Sequence, residues 1–126
     1  VSHIDFSYPY SEGLREMIAK SAVKADEKVI NGGVYGVTQG PRLETAAEIF
    51  RMENDGCDIV GMTGMPEASI ARELKLNYAS LSLVVNQAAG KGGSAITIKE
   101  IDDNLNVGIS RVRNIIDELV KDFYSK

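Results

Sequence analysis

Apolar positions change their period several times along the chain, and each change marks an element. Leu14, Met17, Ile18 and Ala22 recur at helical spacing behind Ser11. That predicts a helix capped by Ser11, with Glu12 near its positive end, running to about Asp26. Lys28 to Asn31 reads as a short strand, Gly32-Gly33 as a turn suited to a hairpin, and Val34, Tyr35 and Val37 as the next strand. Gly40-Pro41 breaks that strand. Thr45 and Glu48 then form a capping-box pattern for a second helix, with Ile49, Phe50 and Met52 on its buried side and Gly56 as its stop. Asp58 to Gly61 reads as a short strand. Pro66-Glu67 opens a short helix with Ile70 and Leu74 packing inward. Leu81, Leu83, Val84 and Val85 form a nearly unbroken apolar run within Tyr78 to Val85, which predicts a central strand covered on both faces. Gln87 to Ala95 is a glycine-rich loop. Thr97 to Glu100 repeats the capping-box pattern. Ile101, Leu105, Val112, Ile116, Leu119 and Phe123 then mark one stripe of a long helix ending near Tyr124.

Strands alternating with helices predict an α/β layer architecture with about four strands. Three apolar segments each end in small, polar or turn-forming residues: Gln39 to Thr45, Met62 to Gly64, and Asn86 to Ala88. In an open α/β sheet such strand ends rim a ligand crevice, so the three clusters are read as three walls of one small-molecule site. A central strand calls for more neighbours than this chain clearly supplies. The chain also opens without Met, in VSHIDFSYPY, like the middle of a protein. The expectation is a chain whose first part is absent.

Composition narrows the function. The 126 residues are 44% hydrophobic and 25% charged, with a formal net charge of −4. That is globular composition without a basic field for nucleic acid or anionic lipid. A single cysteine, Cys57, excludes an intrachain disulfide and a Cys-rich zinc site, and fits a cytoplasmic location. Cys57 is either a nucleophile or an inert buried thiol, and single cysteines are mostly the latter. No apolar run reaches the ~20 residues of a membrane span.

No P-loop or dinucleotide fingerprint is present, which removes the commonest nucleotide-cofactor readings. Glu44, at a strand-to-helix junction, is either a carboxylate favoured by the helix N-terminus or a ligand contact. Thr63, beside Gly64, either presents its hydroxyl to an anion or belongs to a plain turn. Asn86 ends the apolar strand with both donors and an acceptor, to be satisfied by backbone or by ligand. Met62 is core filler or ligand wall. His3, the sole histidine, is structural, solvated or functional.

The blocks TQGPRLETAAEI and DIVGMTGMPEASIARELKLNYASLSLVVNQAAG closely resemble the trimeric-type purine nucleoside phosphorylases, which include the methylthioadenosine and methylthioinosine phosphorylases. GPRxET, GMTxxPE and a strand ending in Asn occur in that family's order. The resemblance covers about residues 1 to 95, and the final helix also fits. It implies an incomplete nucleoside phosphorylase-like three-layer fold, with a mixed central sheet flanked by helices. Members are about twice as long, so residues 1–126 are expected to be the C-terminal half of one nucleoside phosphorylase domain, assembled as a homotrimer. The implied reaction is phosphorolysis of a purine nucleoside. Phosphate attacks C1′ through an oxocarbenium-like transition state, giving free base and ribose 1-phosphate. Phosphate is a co-substrate, and no metal or organic cofactor is required.

Carried across by the resemblance, Asn86 is the catalytic residue, holding N7 and O6 of the purine, and Glu44 bonds the N1 edge. Leu43 and Ala88 line the base pocket, Met62 packs on the ribose, and Thr63 binds phosphate. His3 reaches the 5′ site of the neighbouring subunit. Ile96 and Ile98 are expected near the 5′ pocket. Adenosine-type relatives carry Asp at the positions of Asn86 and Ala88. A neutral amide there favours a 6-oxopurine, and the TGMPE and NQAAG segments look most like the methylthioinosine branch. A 6-aminopurine phosphorylase and a non-catalytic nucleoside-binding module are the alternatives. The first phosphate-binding turn and an Arg-His phosphate motif of the family have no counterpart in this chain.

Overall fold

A computed structural model describes residues 3–125. Its elements are α1 (Glu12–Lys24), β1 (Tyr35–Val37), α2 (Ala46–Asn54), β2 (Ile59–Gly61), α3 (Glu67–Glu73) and α4 (Ile98–Tyr124). The described residues form two compact units, one made of 32–62 and 82–110, the other of 3–31, 63–81 and 111–125.

The unit of 32–62 and 82–110 is built on a β–α–β crossover. β1 and β2 pair in parallel, with Tyr35 opposite Ile59, Gly36 opposite Val60 and Val37 opposite Gly61. Before the ladder begins, the Asp58 carboxylate accepts from Val34 N–H at 2.7 Å, and Val34 C=O accepts from Asp58 N–H at 2.9 Å. The parallel pairing corrects the hairpin expected at Gly32-Gly33. Both glycines do adopt positive φ, 110° and 126°, but the segment before them carries no strand, and β1 pairs instead with β2, reached through the α2 crossover that a parallel neighbour requires.

α2 starts at the predicted capping box. Thr45 Oγ1 accepts from Glu48 N–H at 3.1 Å, and the Glu48 carboxylate accepts from Thr45 N–H at 2.7 Å. Ile49 and Met52 are buried. Gly36 lets this face lie against β1, since a Cβ at that position would sit 2.9 Å from Cys57 Sγ and overlap Met52 Cε. Phe50, expected on the buried side, is 63% exposed. It lies about 100° around the helix from Ile49, outside the face that the 49 and 52 pair defines.

The expected strands at Lys28 to Asn31 and Tyr78 to Val85 carry no ladder, and the sheet among the described residues has two strands rather than about four. A strand needs a neighbour for its N–H and C=O groups. At the end of the second segment those groups meet a helix instead. Val85 C=O accepts from the Asn104 side-chain amide of α4 at 2.6 Å. Leu83 packs on Gly108 so closely that a Cβ there would lie 3.1 Å from Leu83 Cγ. Val84 is 65% exposed, so Tyr78 to Val85 is not the covered strand its composition predicts, and Ile30, in the expected short strand, is 96% exposed. Thr97 Oγ1 accepts from Glu100 N–H at 3.2 Å at the start of α4, one half of the second capping pattern.

In the other unit, α1 is capped as predicted, with Ser11 Oγ accepting from Leu14 N–H at 3.4 Å. Ser11 N–H donates to Tyr78 C=O at 2.7 Å, and the Tyr10 and Tyr78 rings stack with centroids 6.1 Å apart. α1 is tied to α4 through Glu27, whose carboxylate accepts from Arg111 Nε at 2.6 Å and Asn114 Nδ2 at 3.1 Å. Those bonds, Arg111 first, hold the Glu27 carboxyl below its ordinary pKa. Ser21, Ala22, Ala68, Ala71 and Ile115 are the buried side chains. Ile70 and Leu74, expected to pack inward, are exposed. On α3 the small residues Ala68 and Ala71 make the buried pair at i and i+3. The α4 stripe is also displaced: Ile115 is buried while Leu105, Ile116 and Phe123 are exposed.

α1, α2 and α3 all end in the same six-to-one closure. Glu27 N–H donates to Ala22 C=O, Cys57 N–H to Met52 C=O, and Leu76 N–H to Ala71 C=O. The residue that turns the chain is Asp26 (φ 55°), Gly56 (φ 90°) and Lys75 (φ 56°) in turn. Gly56 was legible as a stop. Asp26 and Lys75 perform the same turn without glycine's freedom.

Candidate functional site

The crossover brings the carboxyl ends of β1 and β2 side by side, and the site is built there. Thr38 N–H extends the pairing one step, donating to Gly61 C=O at 2.9 Å. The Thr38 hydroxyl is 2.7 Å from Glu44 Oε1 and 3.4 Å from Gly61 C=O. The carboxylate is the nearer and the charged acceptor, so it takes the proton. Glu44 is therefore half-buried and held from the end of β1, rather than left as a solvated charge at the α2 N-terminus.

Between them the chain turns at Gly40. Its φ is 62°, the left-handed region that glycine enters at least cost. A Cβ on Gly40 would overlap Met62 Sδ and lie 3.2 Å from Met62 Cγ, so the Met62 thioether rests directly on this turn. The turn is braced from outside by Arg42, whose two guanidinium nitrogens donate to the Glu48 carboxylate at 2.9 and 2.8 Å. Arg42 and the Thr45 N–H together pull the Glu48 carboxyl down to a pKa of about 2, and Glu48 in turn raises Arg42.

The third cluster approaches the start of α2. A Cβ on Gly90 would sit 2.7 Å from Ala46 Cβ. Lys91 N–H closes a turn on Ala88 C=O at 3.0 Å, and the Lys91 ammonium pairs with Glu53 of α2. Asn86 is half-buried, its amide nitrogen donating to Gln87 C=O at 2.8 Å. One amide N–H and the side-chain carbonyl remain for another partner.

Leu43, Glu44, Met62, Asn86 and Ala88 thus belong to one compact unit; Met62 packs on the turn before Leu43 and Glu44, and the loop after Asn86 and Ala88 packs on α2. Ala88 is half-buried and Leu43 is 45% exposed. Ile96 is half-buried and Ile98 exposed in the same unit. Thr63 follows Met62 in the chain and is exposed, and His3 is exposed; both lie in the other unit. Thr38 and Arg42 were not singled out from the sequence. A Thr at the end of a β-strand, six residues before an acid, was the available signal for the first. The Arg inside GPRLET, six residues before Glu48, was the signal for the second. Among the described residues there is no cluster of acids, His and Cys able to hold a metal ion, and no helix is long and apolar enough to cross a membrane. Cys57 is a free, half-buried thiol.

A β–α–β crossover whose parallel strand ends gather a carboxylate and a thioether, with a glycine loop packed at the start of the crossover helix, defines an α/β protein with a candidate small-molecule site at its strand ends. Comparison with known proteins gives the family. The model of the phosphorylase superfamily matches residues 1–121, and the chain belongs to that superfamily. It is 58% identical over 113 residues to a probable S-methyl-5'-thioinosine phosphorylase of Pseudomonas syringae pv. tomato, covering 90% of this chain and 46% of the relative. It is 42% identical over 115 residues to a probable 6-oxopurine nucleoside phosphorylase of Dictyoglomus turgidum, covering 91% of this chain and 43% of the relative. In structure it matches a methylthioadenosine phosphorylase of Schistosoma mansoni in complex with adenine, with a TM-score of 0.92 and 26% identity, over 100% of this chain and 50% of that one. The expected α/β nucleoside phosphorylase fold is borne out, and what the described residues show is part of it. The chain spans about half the length of the relatives it matches.

Proposed function

We propose that these residues are the C-terminal half of a single nucleoside phosphorylase domain that cleaves purine nucleosides with inorganic phosphate. The C1′–N9 bond breaks with its electron pair going to the purine, and a phosphate oxygen bonds to C1′. The products are the free base and a ribose 1-phosphate, with no cofactor. The observation that carries this reading is the packing of Met62 on the Gly40 turn that leads to Glu44, with the Gly90 loop against the start of α2, in a chain of the phosphorylase superfamily. Asn86 donates to the base as negative charge builds on it, Glu44 accepts at the N1 edge, and Leu43 and Ala88 line the base. Met62 packs on the ribose, and Thr63 binds phosphate. His3 serves the 5′ site of a neighbouring copy in a homotrimer.

The base is a 6-oxopurine and the preferred nucleoside S-methyl-5'-thioinosine. The relatives from Pseudomonas and Dictyoglomus support this through their names, and Asn86 supports it through its chemistry, since an amide N–H suits the acceptor atoms O6 and N7. A second reading, a 6-aminopurine nucleoside, is favoured by the adenine-bound Schistosoma structure. Exposed apolar side chains such as Ile30, Val84 and Ile98 fit a chain that has a complementary half to cover them. The test is purine release by the full-length protein with and without phosphate. Release that saturates with phosphate supports phosphorolysis, and release indifferent to phosphate refutes it.

A further inference from the structure

We propose that Thr38 is a positioning residue that holds the Glu44 carboxylate in place as an acceptor and thereby contributes to selecting a 6-oxopurine base. The inference rests on the nucleoside reading above and adds a residue to it. Thr38 stands one position past β1, and its backbone N–H is already committed to Gly61 C=O at 2.9 Å. That bond fixes the direction of the side chain. The hydroxyl carries one proton and faces two acceptors, the Glu44 carboxylate at 2.7 Å and Gly61 C=O at 3.4 Å. Distance and charge both favour Glu44.

A carboxylate that accepts one hydroxyl proton is held in place and retains further acceptor sites. A 6-oxopurine offers an N1–H donor to such a group, whereas N1 of a 6-aminopurine is an acceptor and would meet the carboxylate lone pair to lone pair. The Thr38 bond also fixes where the carboxylate sits. Glu44 otherwise hangs on a side chain with three rotatable bonds, at a turn whose Leu43 neighbour is exposed. Arg42, the nearest cation in sequence, is paired with Glu48 and does not supply the anchor.

The test is Thr38→Val beside Thr38→Ser in the full-length protein, with kcat/KM read on a 6-oxopurine and a 6-aminopurine nucleoside in one preparation. The ratio of the two is independent of how much protein is folded. Val keeps the shape and removes the donor, while Ser keeps the donor. Thr38→Val is expected to lower kcat/KM for the 6-oxopurine about ten- to a hundredfold, the span of a hydrogen bond to a charged group. The 6-aminopurine value should change less than about threefold, and Thr38→Ser should recover most of the loss. Equal losses on both substrates, or no recovery in Thr38→Ser, overturn the assignment. Wild type is read first. Absence of phosphate-dependent release overturns the nucleoside reading and this assignment with it. Turnover in wild type with no selective loss in Thr38→Val overturns this assignment alone.

Discussion

Replacing Gly40 by Ala tests whether the β1 turn and the Met62 side chain form one built surface. Two separate costs arise. The first is backbone: at φ 62° an L-residue takes on roughly 1–2 kcal/mol relative to glycine. The second is steric. The new methyl overlaps Met62 Sδ and approaches Cγ at 3.2 Å and Cε at 3.3 Å. Overpacking of this kind costs about 1–3 kcal/mol, toward the low end here because a half-buried methionine can change rotamer. The expected total is about 2–4 kcal/mol. Urea unfolding of the full-length protein measures it, with Met62→Ala and the double variant completing a cycle. Met62→Ala should relieve the steric part and leave about 1–2 kcal/mol of backbone strain. The same displacement of Met62 should raise KM for the nucleoside. A Gly40→Ala protein as stable as wild type, or a penalty that Met62→Ala leaves unchanged, would refute the contact and the positioning of Met62 derived from it.

Two further outcomes follow from the same region. Asn86→Asp should shift kcat/KM toward 6-aminopurine nucleosides by one to two orders of magnitude, since a carboxylate accepts from a 6-amino group and repels O6; an unchanged ratio removes Asn86 as the base reader. Glu48 has its pKa drawn from the ordinary 4.5 down to about 2, by Arg42 first and the Thr45 N–H second. Its stabilising contribution is therefore complete above about pH 4.5 and is lost as pH falls toward 2. Glu48→Gln should flatten the stability profile across that window, and a profile as steep as wild type there would show that Glu48 is not the titrating group.

What was legible in the sequence was what depends on near neighbours. Ser11, the Thr45 and Glu48 pair, and Gly56 act within four residues of themselves, and each does in the structure what its type predicts. Asp26 and Lys75 hold the same helix-closing conformation as Gly56, and no residue type announced them. The failures are non-local. Lys28 to Asn31 and Tyr78 to Val85 have strand composition, but a ladder needs a partner strand, and composition does not supply one. Phe50, Ile70 and Leu74 are apolar on helices whose buried faces are defined by Ile49 with Met52 and by Ala68 with Ala71. An apolar residue beside such a face is indistinguishable from one on it until the packing is known. Two of the three predicted clusters, Gln39 to Thr45 and the one that starts at Met62, do meet beyond β1 and β2, where turn residues after apolar segments placed them. The Thr38 to Glu44 bond was not legible, because its meaning comes from β1 ending beside β2.

The most direct measurement is phosphate-dependent base release by the full-length protein, compared across S-methyl-5'-thioinosine, methylthioadenosine, inosine and adenosine. The account predicts fastest release of hypoxanthine from S-methyl-5'-thioinosine, with inosine ahead of adenosine. Preference for methylthioadenosine would contradict it, because a neutral amide at Asn86 and a Glu44 carboxylate held by Thr38 would then not be what chooses the base.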